Sequence, residues 1–289
     1  MPNTIALAKN YTSLLDEVYR SASVTADLTS DATMSRAGAN ANEIVYPQIS
    51  VTGLGEYDRN SGYTTGAVDL KWKTATFNYD RGTKISVDVM DNEESRNLAF
   101  GMAGATLMRE KVAPEADAFT FATLASLESI SKDTGTIDNA SQFLDALLTA
   151  WSKMDEDEVP QESRILYATA TLLNSVMSLD TTKSREVLGK FAVKKVVPQA
   201  RFYTAIDLLD GKTLGEEAGH YKKASNGADI NFMIVHKPAI IKFDKHTASN
   251  IILASSNPDA DADIVKYRKY GIVDGYVNKR AGIYMNSKA

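Results

Sequence analysis

Between residues 76 and 95 the chain reads "TFNYDRGTKISVDVMDNEES". Phe77, Tyr79, Ile85, Val87 and Val89 share one parity, and Asn78, Asp80, Lys84, Ser86 and Asp88 share the other. That is the period-two signature of a strand with one dry face. Asp91, Asn92, Glu93, Glu94 and Ser95 follow at once, supplying the capping side chains and negative charge that favour a helix start. A helix is predicted from about residue 96 to 127, striped by Leu98, Met102, Leu107, Met108, Val112, Phe119 and Leu124. If continuous it spans roughly 45 Å at about 1.5 Å per residue. Pro114 lies inside it and is expected to kink or divide it, because proline removes a donor and crowds the carbonyl one turn back.

Upstream, residues 44–75 read "IVYPQISVTGLGEYDRNSGYTTGAVDLKWKTA", strand-like at both ends around Gly53, Gly55, Gly62 and Gly66. Residues 58–62 have turn chemistry. The segment is predicted to be a long hairpin, and an isolated two-stranded ribbon is marginal in water. Tyr57, Tyr63, Leu70 and Trp72 therefore need a surface, either on their own domain or on another chain. Residues 20–43 hold only Val24, Leu28 and Met34 as large apolar side chains. That is too little burial to offset the entropy of ordering the backbone, so a loose terminus or an arm that orders on a neighbour is expected.

Beyond "SISKDTG" at residues 129–135, where a domain boundary is expected, the pattern turns to α/β alternation. Asn139 and Ser141 cap a helix marked by Phe143, Leu144, Leu147, Leu148, Trp151 and Met154, and Pro160 closes the loop behind it. Residues 164–177 read as a buried strand running into a helix, and residues 230–243 and 250–254 as strands. Residues 267–285 read as two strands around a turn at 278–282.

Composition narrows the function. At 289 residues and 44% hydrophobic content the chain suits one large or two ordinary domains with a true core. A net charge of -5 and a pI near 5.4 argue against a wide basic face that holds nucleic acid tightly. The densest basic run, Lys190, Lys194, Lys195 and Arg201, reads as a solvated edge. With no cysteine there are no disulfides or thiolate nucleophiles, which suits a reducing cytoplasm. The first residues lack a signal-peptide pattern, and nowhere do about 18 apolar residues run together. The chain therefore reads as soluble and made in the cytoplasm.

Catalytic chemistry finds little footing. His220, His236 and His246 lack the i, i+4 spacing of a helical metal site. Gly101 and Gly104 lack the lysine and hydroxyl of a phosphate loop, and close helix packing accounts for them. The acidic runs Asp155, Glu156, Asp157, Glu158 and Asp259, Asp261, Asp263 lack the glycine and closing glutamate of a calcium loop. No catalytic residue, metal or cofactor is assigned, and the chain is read as not an enzyme.

What remains is architecture, and it resembles the major capsid proteins of tailed bacteriophages, the Hong Kong 97-like shell subunits. "RGTKISVDVMDNEES" followed by "MREKVAPEADAFTFATLAS" looks like the strand and spine-helix region of that family, with the Val-x-Pro-Glu-x-Asp-Ala pattern at residues 112–118. "INFMIVHKPAIIKFDK" and "YRKYGIVDGYVNKRAGIYM" are similar to its late strand pair and closing strands. The resemblance implies an α+β Hong Kong 97-like fold: an N-terminal arm at 1–43 and an extended loop at 44–75. A peripheral domain with the spine helix at 76–135, completed by 269–289, and an axial domain at 136–268 would follow. It implies subunits that self-assemble through a procapsid into hexamers and pentamers of an icosahedral shell, forming the virion capsid in the host bacterial cytoplasm. Other partners would be a separate scaffolding protein or none, a portal protein, and packaged double-stranded DNA held by weak non-specific contact; no membrane is involved. Tyr57, Arg59, Tyr63, Leu70 and Trp72 would be interface residues of the extended loop. Lys71 and Lys73 are the nearest lysines to a crosslinking position, and no crosslink is assigned. An encapsulin-like compartment is the alternative with the same fold. An enzyme with a site in 136–268 is the alternative from another class.

Overall fold

The computed structural model describes residues 22–30, 36–37, 42–94, 98–179 and 181–289. Its strands are β1 (Arg36–Ala37), β2 (Glu43–Val51), β3 (Val68–Thr76), β4 (Tyr79–Asp88), β5 (Ser131–Thr134), β6 (Arg164–Thr169), β7 (Val193–Val197), β8 (Ile206–Leu208), β9 (Tyr221–Lys223), β10 (Ile230–His236), β11 (Ile240–Ile252), β12 (Ala262–Gly275) and β13 (Ile283–Ser287). The α-helices are α1 (Val89–Glu94), α2 (Leu98–Thr106), α3 (Ala113–Ser126), α4 (Ala140–Glu156), α5 (Ala170–Leu179) and α6 (Thr182–Gly189).

The core sits on both faces of a five-stranded sheet ordered β5-β13-β10-β6-β7. β6 and β10 are buried at every residue, so their side chains alternate between two cores. Ile165 and Tyr167 of β6 face α3, packing with Phe121, Leu124 and Phe202. Leu166 and Ala168 face the helices on the other side, among Phe143, Leu147, Trp151, Leu173 and Val187. α4 starts where Asn139 Oδ1 accepts the Gln142 N–H. A reciprocal capping box between Thr181 and Ser184 starts α6. β6 and β7 run parallel, with α5 and α6 forming the crossover that parallel neighbours require.

A second sheet, β11-β12-β4, is antiparallel and long, with β12 paired from Ala262 against Asp88 to Gly271 against Tyr79. The parity seen in the sequence holds. Tyr79, Arg81, Ile85 and Val87 are more shielded than Asp80, Lys84, Ser86 and Asp88. The dry side meets α3 and the helical turn before it, where the Tyr79 ring lies 4.9 Å from that of Phe119 and Met108 and Val112 pack on Tyr267 of β12.

Pro114 does not end the helical stretch. α2 passes into a π-helical turn, Leu107–Val112, and then into α3, where proline sits in the first turn. The Ala113 N–H donates to the Met108 carbonyl five residues back. This wider turn lets the chain remain helical where proline offers no donor. The expected start of the helix near residue 96 lies outside the described residues.

Other expectations change. Residues 22–30 are not a free arm: Ser23, Thr25 and Leu28 are buried against the rest of the chain, Leu28 completely. The reason is polar anchoring, which a count of apolar residues does not register. The expected boundary at 129–135 contains β5, tied in parallel to β13. Residues 250–252 complete β11 rather than forming a strand of their own, and β12 begins at Ala262, ahead of the expected 267. Pairing with β4 and β11 on both edges extends β12 past its local pattern. β13 pairs with β10, whereas β11 and the first half of β12 belong to the sheet of β4.

Candidate subunit interface

β2 and β3 form the expected hairpin, in register from Glu43 against Thr76 to Val51 against Val68. Its base is anchored. Ile44, Tyr46 and Ala75 are buried with Ile241 of β11 and Ile272 of β12, and the Tyr46 ring meets Tyr276 edge-on at 5.0 Å. Its outer half is different. Residues directly opposite in an antiparallel pair share a face, and Ile49 lies opposite Leu70 and Val51 opposite Val68. With Trp72, two residues from Leu70, they make a row of five large apolar side chains, all between 47% and 72% exposed. The facing row is polar, with Gln48, Ser50, Asp69 and Lys71, and Lys71 pairs with Asp69 at 2.6 Å.

At the tip, Asp58 and Gly62 exchange backbone hydrogen bonds, and Asp58 Oδ1 accepts the Asn60 N–H. Gly62 takes φ +81°, a conformation that side chains rarely adopt. This turn brings the Tyr57 and Tyr63 rings to 4.8 Å, while Tyr63 remains 89% and Leu54 fully exposed. The structure thus joins Tyr57 with Tyr63, and Leu70 with Trp72. Arg59 is exposed in the turn itself. Ile49, Val51 and Val68 escaped the sequence reading, although the alternation of "QISV" against "VDLKW" carries them.

A second cluster lies where loop 209–220 meets β4 and α3, around a cleft of about 390 Å³. Arg81 Nε donates to Glu115 Oε1 at 2.7 Å, and its Nη2 donates to the carbonyls of Leu209 and His220. Burial pushes the Glu115 carboxyl up, but His220, Arg81 and Tyr79 outweigh it and hold the group below its ordinary value. His220 Nδ1 stands 3.7 Å from Glu115 Oε2, too far for a hydrogen bond, so Arg81 is the firm partner. The ionised carboxylate accepts from Arg81 and Tyr79 and so holds Arg81 in place, and Arg81 ties down the loop through the Leu209 and His220 carbonyls.

The basic run is likewise engaged. Lys190 lies over the Trp151 ring, Lys194 Nζ donates to the carbonyls of Leu188 and Phe191 at the end of α6, and Lys195 pairs with Asp27. His220, His236 and His246 stay on separate elements. Among the described residues, no three potential ligands come together to hold a metal, and no helix is long and apolar enough to cross a membrane.

No family model and no curated protein matches the sequence. Solved structures do match. The fold is similar to that of a chain from Mycobacterium phage Che8, at 14% identity and a TM-score of 0.58, covering 91% of this chain and 90% of that one. It is similar to a chain in the capsid structure of the cyanophage P-SCSP1u, at 11% identity and a TM-score of 0.57, covering 88% and 85%. A chain in the asymmetric unit of the bacteriophage PhiM1 mature capsid matches at 11% identity and a TM-score of 0.56, covering 86% and 82%. This mixed helix-and-strand chain therefore has a fold found in phage capsids.

Proposed function

We propose that the chain is the major capsid subunit of a tailed bacteriophage, a structural protein that assembles in many copies into an icosahedral shell around the genome. The observation that carries this reading is the agreement of fold with chains of phage capsid structures over almost the whole length. The hairpin supports it. A subunit that met no neighbour would gain nothing from a row of exposed Ile49, Val51, Val68, Leu70 and Trp72, and a contiguous exposed apolar face marks an interaction site.

On this reading residues 44–75 are the extended loop, and Tyr57, Arg59, Tyr63, Leu70 and Trp72 contact a neighbouring subunit. The Hong Kong 97-like parts follow the sheets: a peripheral part built on β4, β11, β12 and the spine, and an axial part on the five-stranded sheet. Residues 1–43 are the arm, with its portion at 22–30 docked. A scaffolding protein, a portal protein and weakly held double-stranded DNA are the expected partners, and the shell forms in the host cytoplasm. Negative-stain electron microscopy of the chain expressed with its neighbouring genes tests the proposal. Closed shells are expected, and a chain that remains a small oligomer under every such condition would refute it.

A further inference from the structure

Residues 22–30 lie against the subunit through two apolar side chains, Leu28 in the core and Val24 beside it, and otherwise through polar contacts. Asp117, on α3, is wholly buried. Its Oδ1 accepts hydrogen bonds from Ser23 Oγ at 2.7 Å, Thr25 N–H at 3.1 Å and Thr25 Oγ1 at 2.7 Å, and its Oδ2 accepts from Val24 N–H at 2.9 Å. Arg201 Nη1 donates to the same Oδ2 at 3.1 Å and to the Ala22 carbonyl at 3.0 Å. From the other side, Lys242 Nζ donates to the Thr25 carbonyl at 2.9 Å and to Thr25 Oγ1. The Ser30 N–H reaches the Lys242 carbonyl at 2.8 Å. Leu28 alone among the large side chains of this segment is fully enclosed.

We infer that the cleft around Asp117 is a binding site for a Ser-x-Thr-x-x-Leu segment, filled here by the chain's own residues 23–28, which form a releasable strap. Two features make it releasable. The strap removes few apolar side chains from water, whereas β10 has all seven residues buried inside a sheet. Opening also admits water to the Asp117 carboxylate and the Lys242 amine, and that water replaces the hydrogen bonds the strap gives up. The strap should therefore open locally, well short of global unfolding. Its neighbours in the cleft fit such a device: the Tyr167 hydroxyl is buried there with no protein partner and gains water on opening.

The consequence for assembly rests on the proposed function, although the strap itself does not. Release frees about nine residues of chain, roughly 30 Å when extended. Docked or released, the strap sets how far the preceding residues can reach towards a neighbour.

Hydrogen exchange read by mass spectrometry, on the full-length unassembled subunit, tests this. Residues 22–30 should be protected at least tenfold less than β10. Asp117→Asn, and separately the double change Ser23→Ala with Thr25→Val, should each lower protection of 22–30 a further tenfold or more and leave β10 unchanged. If Asp117→Asn fails to fold, the double variant decides, since it alters only the strap. Exchange of 22–30 together with β10 in the unaltered chain, or no change in the double variant, overturns the inference. Because the subunits are unassembled, a failure to form shells would count against the proposed function and leave this result standing.

Discussion

Lys242 enters the interior from β11 and is buried, facing Asp117 of α3, Asp27 of the strap, Asp244 of its own strand and Lys269 of β12. Burial pushes its pKa down to about 8, against an ordinary value of 10.5. The unfolded chain therefore binds more protons than the folded one between those values, and stability rises with pH there. The expected gain from pH 8 to pH 10 is on the order of 2 kcal/mol. Above that, buried tyrosines oppose it. Burial raises Tyr167 and Tyr221, so the unfolded chain ionises first and stability falls. Urea unfolding of the native chain and of Lys242→Met across pH 7.5 to 10 isolates the lysine, and parallel pH profiles would contradict this account. Glu115 works at the other limb. Its carboxyl lies below its ordinary value in the fold, so its contribution is complete above the unfolded value of about 4.5 and fades as pH falls through the folded one. Glu115→Gln should cost about 2–4 kcal/mol at neutral pH, because Arg81 is left without its counter-charge, and should flatten the acid loss of stability in a pH series of thermal melts.

Whole elements obey a simpler logic, and this is why most of them were legible in the sequence. β4 announced itself by parity, α4 by the stripe from Phe143 to Met154, and the hairpin turn by Asp58 and Gly62, since each pattern is complete within a few residues. The strap was not legible, because its partners lie far away in the chain: Thr25 meets Asp117 across 92 residues and Lys242 across 217. A faint signal existed. Glu115 and Asp117 are the only charged residues of a helix that is buried around most of its circumference, and such groups require partners. The outer hairpin makes the sharpest prediction at this scale. Its base is anchored by Ile44, Tyr46 and Ala75, while residues 54–67 bear exposed glycines, threonines and the tyrosine pair. Replacing residues 54–67 by a short Gly-Ser turn should leave the thermal midpoint of the subunit nearly unchanged and abolish shells in size-exclusion chromatography. Normal particles would refute the interface. An aggregated or strongly destabilised product would mean that the tip supports its own subunit, as losses from a core do.

At the scale of the whole molecule, charge decides how the chain treats nucleic acid. A shell subunit of the proposed kind must let a genome enter and later leave, and tight phosphate binding on its surface would oppose both steps. Affinity for duplex DNA comes mainly from neutralised phosphates and the counterions they release. The chain has 37 acidic residues against 32 lysines and arginines. Several of the basic groups are already committed: Arg81 to Glu115, Arg201 to Asp117, Arg268 to Asp80 and Lys195 to Asp27. The densest basic run has its charges directed at a tryptophan face, a helix end and the strap, which leaves no aligned row to follow a phosphate backbone. The free subunit should therefore bind a labelled duplex no more tightly than about 10⁻⁵ M near physiological salt, with what affinity exists falling further as salt rises. Fluorescence anisotropy at low and physiological ionic strength, with two unrelated duplex sequences, measures both terms. Binding that is tighter by two orders of magnitude, or that distinguishes the two sequences, would mean that a nucleic-acid surface forms which the charge distribution of the single subunit does not explain.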